Sequence, residues 1–292
     1  MRSGILVHGT WSSSTGGPAA DGLWMLDAEN REAIERLRHL AKPLPPPEAG
    51  EWLAEHWESG QSFEAYLASD PPIAQGERSV LYVVPLGSFS EVEAAVLQQA
   101  TEYMGLFFGL PVEVLDSIPM EAAGEAANIP PSAYRSSGRG FGPQFRSEWI
   151  LQKLLRPKLP RDAAALIGFT AQDLWPGQGW NFVFGQANLK HRVGVWSMAR
   201  FGDPALSQAS RALALRRTLK VATHETGHML GMRHCTAWSC NMNGSNHLGE
   251  SDRQPLDLCP VCLAKLAYAT DVNLVERGEA LKTQLTTLGL KR

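Results

Sequence analysis

An α/β fold is predicted by three features of this 292-residue sequence. From residue 79 onward, apolar runs of strand length alternate with segments of helical period, the order from which layered α/β domains are built. The first run, Ser79-Val80-Leu81-Tyr82-Val83-Val84-Pro85-Leu86, has the pattern of a buried strand. Apolar residues make up 44% of the chain and charged residues 20%, the proportions of a soluble globular protein with one sizeable domain, or one domain and an extension.

Residues 1–76 read as a partly helical N-terminal extension. Gly/Ser punctuation near Ser12–Gly17 precedes a charged helical stretch from Ala28 to Leu40 and the rigid run Pro43-Leu44-Pro45-Pro46-Pro47. A second helical stretch is expected over Glu48 to Leu67. It carries Trp52, Leu53, Trp57, Phe63 and Tyr66, and the two tryptophans point to docking on an apolar surface of the domain that follows. The alternative for the first twenty residues is a disordered tail.

Residues 77–292 form the second unit. After the strand ending at Leu86, Ser90 is a plausible N-cap for a helix from Glu91 to Met104, with Val92, Ala95, Val96, Gln99 and Tyr103 at helical spacing. Pro111 to Leu115 reads as a second strand. The Gly/Ser-rich run Ser136 to Gly142 follows no strand and lacks a phosphate-loop pattern, so a loop is expected there. A helix from Phe145 to Arg156 is stopped by Pro157. Strands are expected over Ala164–Thr170, Asn181–Ala187 and Val193–Ala199, and then a long helix from about Ala212 to Leu230.

A net charge of −3 leaves no basic footprint for nucleic acid. No apolar run approaches the ~18 residues that a membrane span needs. Met1-Arg2-Ser3-Gly4-Ile5-Leu6-Val7-His8 lacks a long apolar secretory core, so a cytoplasmic protein is the expectation. No internal repeat stands out, and a monomer with no nucleic-acid or membrane partner is expected.

The long helix ends in His224-Glu225-Thr226-Gly227-His228-Met229-Leu230-Gly231-Met232-Arg233-His234, which reads HExxHxxGxxH. Histidines at i and i+4 share a helix face about 6 Å apart along the axis, so two imidazoles can take adjacent corners of a tetrahedral zinc. Glu225 follows the first of them on a neighbouring face, where its carboxylate reaches a water at the metal rather than the metal itself. Gly231 ends the helix by tolerating a left-handed backbone. His234 then returns as the third ligand, and three protein ligands leave the fourth position open, the arrangement of a catalytic zinc.

All four cysteines follow within a short stretch, as Cys235, Cys240, Cys259 and Cys262. Two close pairs of thiolates suit a closed, structural zinc site. Two disulfides, or four unrelated buried thiols, are the alternatives, and the absence of a visible signal peptide weighs against disulfides. His234 and Cys235 are neighbours assigned to different metals, because consecutive extended side chains point opposite ways. The two zinc ions are thus expected about 10 Å apart, with the structural site acting as a splint for the third histidine. His8, His39, His56, His191 and His247 show no ligand spacing.

This segment resembles the archaemetzincins, a family within the metzincin clan of zinc peptidases. Their signature joins HExxHxxGxxH to C-x4-C-x-M and then to C-x2-C, which Cys235, Cys240, Met242, Cys259 and Cys262 fill. The gap from Met242 to Cys259 is one residue shorter than the family spacing. The likeness extends through Asn241–Asn246 and Pro255–Leu263, and upstream through Trp180–Leu189 and Gly194–Phe201. It implies a twisted mixed sheet packed on the active-site helix, a C-terminal subdomain stabilised by the four-cysteine zinc, and a helical end to the chain. It also implies that Met242 lies in a tight turn beneath the three histidines, where ordinary core packing is the alternative role. Asn243, not tyrosine, follows the methionine, so no tyrosine donor is expected at that turn.

The reading that follows is a metallopeptidase with two zinc ions, one catalytic and one structural. Zinc lowers the pKa of water and polarises a peptide carbonyl, while Glu225 acts as general base and then returns the proton to the leaving amine. Substrate peptide is expected to lie extended along a sheet edge, with Asn181 to Ala187, and Phe182, Val183, Phe184 and Gly185 in particular, as the candidate strand. A buried core strand is the alternative there. The rival function is a zinc-dependent peptide- or protein-binding protein without turnover. Endopeptidase and aminopeptidase action are not separated by these motifs.

Overall fold

The computed structural model describes residues 6–8, 22–121, 128–137 and 142–290. The first elements are β1 (Leu6–His8), α1 (Ala28–Arg38), α2 (Trp52–Glu55) and α3 (Phe63–Leu67). α1 starts where the Asp27 carboxylate accepts a hydrogen bond from Asn30 N at 2.8 Å, satisfying one of the open amides of the first turn. Ser62 caps α3 in the same way, accepting from Ala65 N at 3.0 Å. The single helix expected over Glu48–Leu67 is therefore two short ones. His56 takes an extended backbone, and the chain between them leaves the helical path. Of the two tryptophans expected to dock, Trp52 packs against His234, whereas Trp57 is 86% exposed. The expectation for Ser12–Gly17 falls outside the described residues, as does the disordered alternative for the first twenty except at Leu6–His8, which is strand.

The central layer follows. β2 (Val80–Leu86) leads into α4 (Glu91–Phe108) and β3 (Val112–Val114). Ser90 and Glu93 form the reciprocal capping box that fixes the start of α4. Next come β4 (Tyr134–Ser136), β5 (Pro143–Arg146) and α5 (Ser147–Trp149), which continues as a π-helical segment Ile150–Leu155 and a 3-10 turn Arg156–Lys158. β6 (Ala163–Thr170), β7 (Asp173–Trp175), β8 (Gly185–Asn188), β9 (Val193–Ser197) and α6 (Gln208–Met229) complete this part.

Six strands form a mixed sheet in the order β1-β8-β9-β6-β2-β3. β9, β6, β2 and β3 run parallel, β8 runs antiparallel to β9, and β1 lies parallel to β8. Strand side chains alternate between faces. Leu81, Val83, Ile167 and Trp196 join the core under α4 and α6, while Tyr82, Val84, Leu166 and Val195 pack with Ile150, Leu151 and Leu155 on the other face. The α/β fold expected from the alternation is thus a sheet covered on both sides. A second sheet, β4-β5-β7, was not expected, and Phe145 is buried in it rather than opening a helix. Three or four residues per strand are too few to show a period. Ser136 closes β4, and 138–141 of the expected loop lie outside the described residues.

The candidate substrate edge requires correction. Of Asn181–Ala187, only Gly185 onward is continuous strand, and β1 already runs along its outer side with Leu6 opposite Gln186. Val183 meets Leu174 in an isolated antiparallel bridge. Val183 and Phe184 are buried, so Phe182, Val183, Phe184 and Gly185 do not form an open strand awaiting a peptide. Apolar side chains there serve the core, the role an apolar run has most often.

The chain ends in α7 (Leu248–Arg253), α8 (Pro260–Thr270) and α9 (Leu274–Thr287). The N-terminal helices pack on these: α1 on α8 and α9, and α3 on α8. Asn30 Nδ2 donates to Val272 O at 3.0 Å, and Ala74 N to Ala269 O at 2.7 Å. Among the described residues, no helix is long and apolar enough to cross a membrane.

Candidate metal centre

The last two turns of α6 carry His224, Glu225 and His228, all buried. The helix ends at Gly231, whose φ of +82° is the left-handed conformation that glycine adopts without steric cost. Met232 N bonds back to Gly227 O at 3.1 Å, so the turn closes on the helix and sends the chain back toward its own histidines. His234 arrives there with its ring centroid 5.4 Å from that of His224 and 4.9 Å from that of His228. One ring nitrogen from each histidine lies within 4.8 Å of the others, and the three form one cluster able to hold a metal ion.

Hydrogen bonding sets the tautomers. His224 Nδ1 lies 2.7 Å from Asn241 O, and His228 Nδ1 lies 2.6 Å from Met232 O. A carbonyl only accepts, so both Nδ1 atoms carry protons and donate. Burial keeps both rings neutral. It holds His224 well below the ordinary imidazole range, with help from His228 and His234, and with His234 it brings His228 down to about 3. Each Nε2 is then a bare lone pair, yet the two Nε2 atoms are 3.0 Å apart. Two nitrogens on a tetrahedral zinc would be separated by ~3.3 Å, so this arrangement fits a cation between them and is repulsive without one.

Glu225 is fully buried, and both of its side-chain oxygens lack a hydrogen-bond partner among the described residues. Oε1 lies 3.9 Å from His224 Nε2. Burial alone raises this carboxyl far above the usual range. An orphaned carboxyl beside a ligand set needs a partner such as water at the metal.

Met242 sits against the same helix. A Cβ at Gly227, between the two helical histidines, would meet Met242 Sδ at 2.6 Å, so glycine is what lets the methionine approach so closely. Asn243 holds the turn: its Oδ1 accepts from Cys240 N at 2.7 Å, and its Nδ2 donates to Cys235 O at 2.6 Å and Trp238 O at 2.8 Å.

Cys235, Cys240, Cys259 and Cys262 are buried, unpaired as disulfides, and clustered with all four sulfurs within 4.8 Å of one another. Cys235 Sγ and Cys259 Sγ are 3.7 Å apart, against ~3.8 Å for two sulfurs on a tetrahedral zinc. Cys240 Sγ accepts from Met242 N at 3.4 Å and Cys259 N at 3.2 Å, bonds that favour a thiolate. Bonds from Cys240, Cys259 and Cys262 pull Cys235 far down, whereas burial pushes Cys240 up. Four buried sulfurs gathered at these separations match the donor set of a closed tetrahedral cation site.

Every histidine and cysteine expected as a ligand thus falls into one of two clusters. None of the other described histidines joins them. His247 instead caps α7, its Nδ1 accepting from Glu250 N at 3.1 Å. No sequence pattern marks Glu58, whose carboxylate lies 3.0 Å from His234 Nδ1, or the carbonyl roles of Asn241 and Met232. Burial raises the Glu58 carboxyl, but His234 and Trp52 lower it further, and the net direction is down. A carboxylate 176 positions away in sequence has no local pattern to mark it.

Residues 163–268 match the model of peptidase family M54. The chain is 33% identical over 282 residues to Archaemetzincin-2 of Macaca fascicularis, covering 86% of this chain and 76% of that protein. It is also 33% identical over 283 residues to Archaemetzincin-2 of Homo sapiens, with the same coverage. The crystal structure of an archaemetzincin from Methanopyrus kandleri superposes with a TM-score of 0.50 at 27% identity, over 73% of this chain and 98% of that one.

Proposed function

The chain belongs to the archaemetzincins, peptidase family M54 of zinc metallopeptidases, and from that premise we propose that it hydrolyses peptide bonds with Glu225 as general base. His224, His228 and His234 would hold the catalytic zinc, and Cys235, Cys240, Cys259 and Cys262 a second, structural one. The observation that carries this reading is the pair of bare Nε2 atoms 3.0 Å apart beside a buried carboxyl with no partner.

Bound at the histidines, zinc would supply Lewis acidity, polarising a peptide carbonyl and lowering the pKa of water. The chain's own groups do the rest. The histidines cannot act as the base, because each Nδ1 is engaged and the Nε2 atoms face one shared point. Glu225 is free to take the proton of the attacking water and to deliver it to the leaving amine.

The four-cysteine zinc would hold Cys235, and through the adjoining peptide bond the position of His234. Met242 would form the apolar floor below the histidines. Peptides or proteins are the proposed substrates, and a cytoplasmic monomer acting without nucleic acid or membrane is the proposed setting, in keeping with four unbridged cysteines. Screening the purified protein against free and N-blocked peptide libraries, with zinc counted in parallel, tests this reading and separates aminopeptidase from endopeptidase action. A zinc-loaded protein that cleaves nothing in broad libraries would favour a non-hydrolytic peptide-binding protein.

A further inference from the structure

Each of the three histidines has an acceptor at Nδ1, but the acceptors differ in kind. His224 and His228 use backbone carbonyls of the C-terminal half, and their rings are also fixed by the helix that carries them. His234 lies beyond the turn at Gly231, in no helix or strand, and its Nδ1 faces both oxygens of Glu58 at 3.0 Å. We infer that Glu58, supplied by the N-terminal segment, is a positioning residue for His234, orienting its ring and strengthening it as a metal ligand. This rests on the reading of His234 as the third ligand.

The geometry separates this role from a chance ion pair. Glu58 meets Nδ1 and not Nε2, so it occupies the ring nitrogen that the metal does not need. A carboxylate at that position fixes the tautomer and raises the basicity of the other nitrogen. Glu58 is itself held: Trp52 Nε1 donates to its Oε1 at 3.0 Å, and the Trp52 ring stands edge-on to His234 with centroids 5.1 Å apart.

The same segment grips the turn that delivers His234. Arg233 N donates to Gln61 Oε1 at 3.0 Å, and Gln61 Nε2 donates to Gly231 O at 3.3 Å. Tyr66 Oη donates to Leu230 O at 2.8 Å. Lys265 Nζ, buried with its residue 1% exposed, donates to Gln61 O at 2.6 Å and so anchors the clamp to α8. Side chains from residues 52–66 therefore touch the turn and the ring, and only Glu58 brings a charge to the ring.

The test is zinc affinity of the full-length protein, measured by competition with a chromophoric chelator, for the parent, Glu58→Gln, Glu58→Ala and His234→Ala. Glu58→Ala should weaken zinc at the histidine site by about 10–100-fold, and Glu58→Gln, which keeps an acceptor oxygen but not the charge, by less. The zinc retained by the four cysteines should not change, and kcat should fall with little change in KM. A merely structural Glu58 would lower the melting temperature and leave the affinity alone, which would overturn the inference. Should Glu58→Ala fail to fold, unchanged affinity in Glu58→Gln overturns it by itself. If His234→Ala keeps its full zinc affinity, the ligand reading falls, and the positioning role with it. Parental affinity in both Glu58 variants with loss in His234→Ala overturns the positioning role alone.

Discussion

The Glu225 carboxyl stands 3.9 Å from Nε2 of His224, fully buried and with neither oxygen hydrogen-bonded among the described residues. A buried, unpaired ionisable group costs stability, because the folded chain must either desolvate a charge or hold a proton that the unfolded chain would release. The motif that makes the site reactive is therefore a liability in the metal-free protein.

That liability has a definite pH dependence. Burial raises the folded-state pKa of Glu225 well above the ordinary carboxyl value of 4.5. Above pH 4.5 the unfolded chain binds fewer protons at this position than the folded one, so the contribution to stability is full below 4.5 and falls as pH rises. Glu225→Gln removes the titration. The metal-free variant should melt higher than the metal-free parent, by a margin that grows from pH 5 to pH 8. Calorimetry after chelation checks it, and a margin independent of pH would refute the assignment.

The two clusters should release metal unequally. The histidine set supplies three donors and so leaves one position of a tetrahedral zinc unfilled by protein, whereas four buried sulfurs fill every position of theirs. Mild chelation should first remove one zinc, along with all activity, and leave a second. Elemental analysis before and after decides this. Cys235→Ser that retains both ions would count against a four-sulfur site.

Loss of the cysteine site should act at a distance. Cys262 is buried in the first turns of α8, far along the chain from His234, yet it shares a cluster with Cys235, the residue next to that histidine. Cys262→Ser is expected to lower melting temperature and activity together, because structural zinc contributes directly to folding. Melting curves with parallel zinc counts test it. Full activity with unchanged melting would leave no structural role for a metal there.

How much of this was legible beforehand follows from the range of each interaction. His224 and His228 are one helical turn apart, and Gly231 and His234 follow close behind in the chain, so the sequence itself records that geometry. The cysteine pairs are equally local. Strands β2, β6 and β9 were legible because each is long enough to show a continuous apolar run. The β4-β5-β7 sheet was not, since its pairings join strands of three or four residues. β8 was misread because apolarity marks burial and says nothing of which strand lies alongside; β1 does. Glu58 was invisible for a further reason. Its partner is 176 residues away, and an acidic residue on an irregular segment looks like any solvated charge.

Gly227 tests the floor beneath the histidines. Alanine would gain about 1 kcal/mol of helix propensity over glycine. Its Cβ would also meet Met242 Sδ at 2.6 Å and Cε at 3.1 Å, and Met242 is fully buried. Overpacking of this kind costs about 1–3 kcal/mol, so the clash should win and Gly227→Ala should be net destabilising. Pairing it with Met242→Ala should recover part of the loss. Denaturant titration of the double-mutant cycle measures the coupling, and strict additivity would mean that the two residues do not touch.

Glu225→Gln also decides the chemistry. Glutamine is nearly isosteric with glutamate and no Glu225 oxygen is hydrogen-bonded to the ligand histidines, so His224, His228 and His234 should still gather zinc. The amide cannot take a proton from water. Turnover of a peptide found by library screening should therefore fall at least about a hundredfold, the lower end of what a positioned general base contributes. The loss should lie in kcat, since a general base at Glu225 would act on the attacking water and not on substrate binding. Zinc content and turnover must be measured on one preparation. Zinc retained with turnover lost supports Glu225 as the base, whereas zinc retained with turnover intact would remove it from the mechanism.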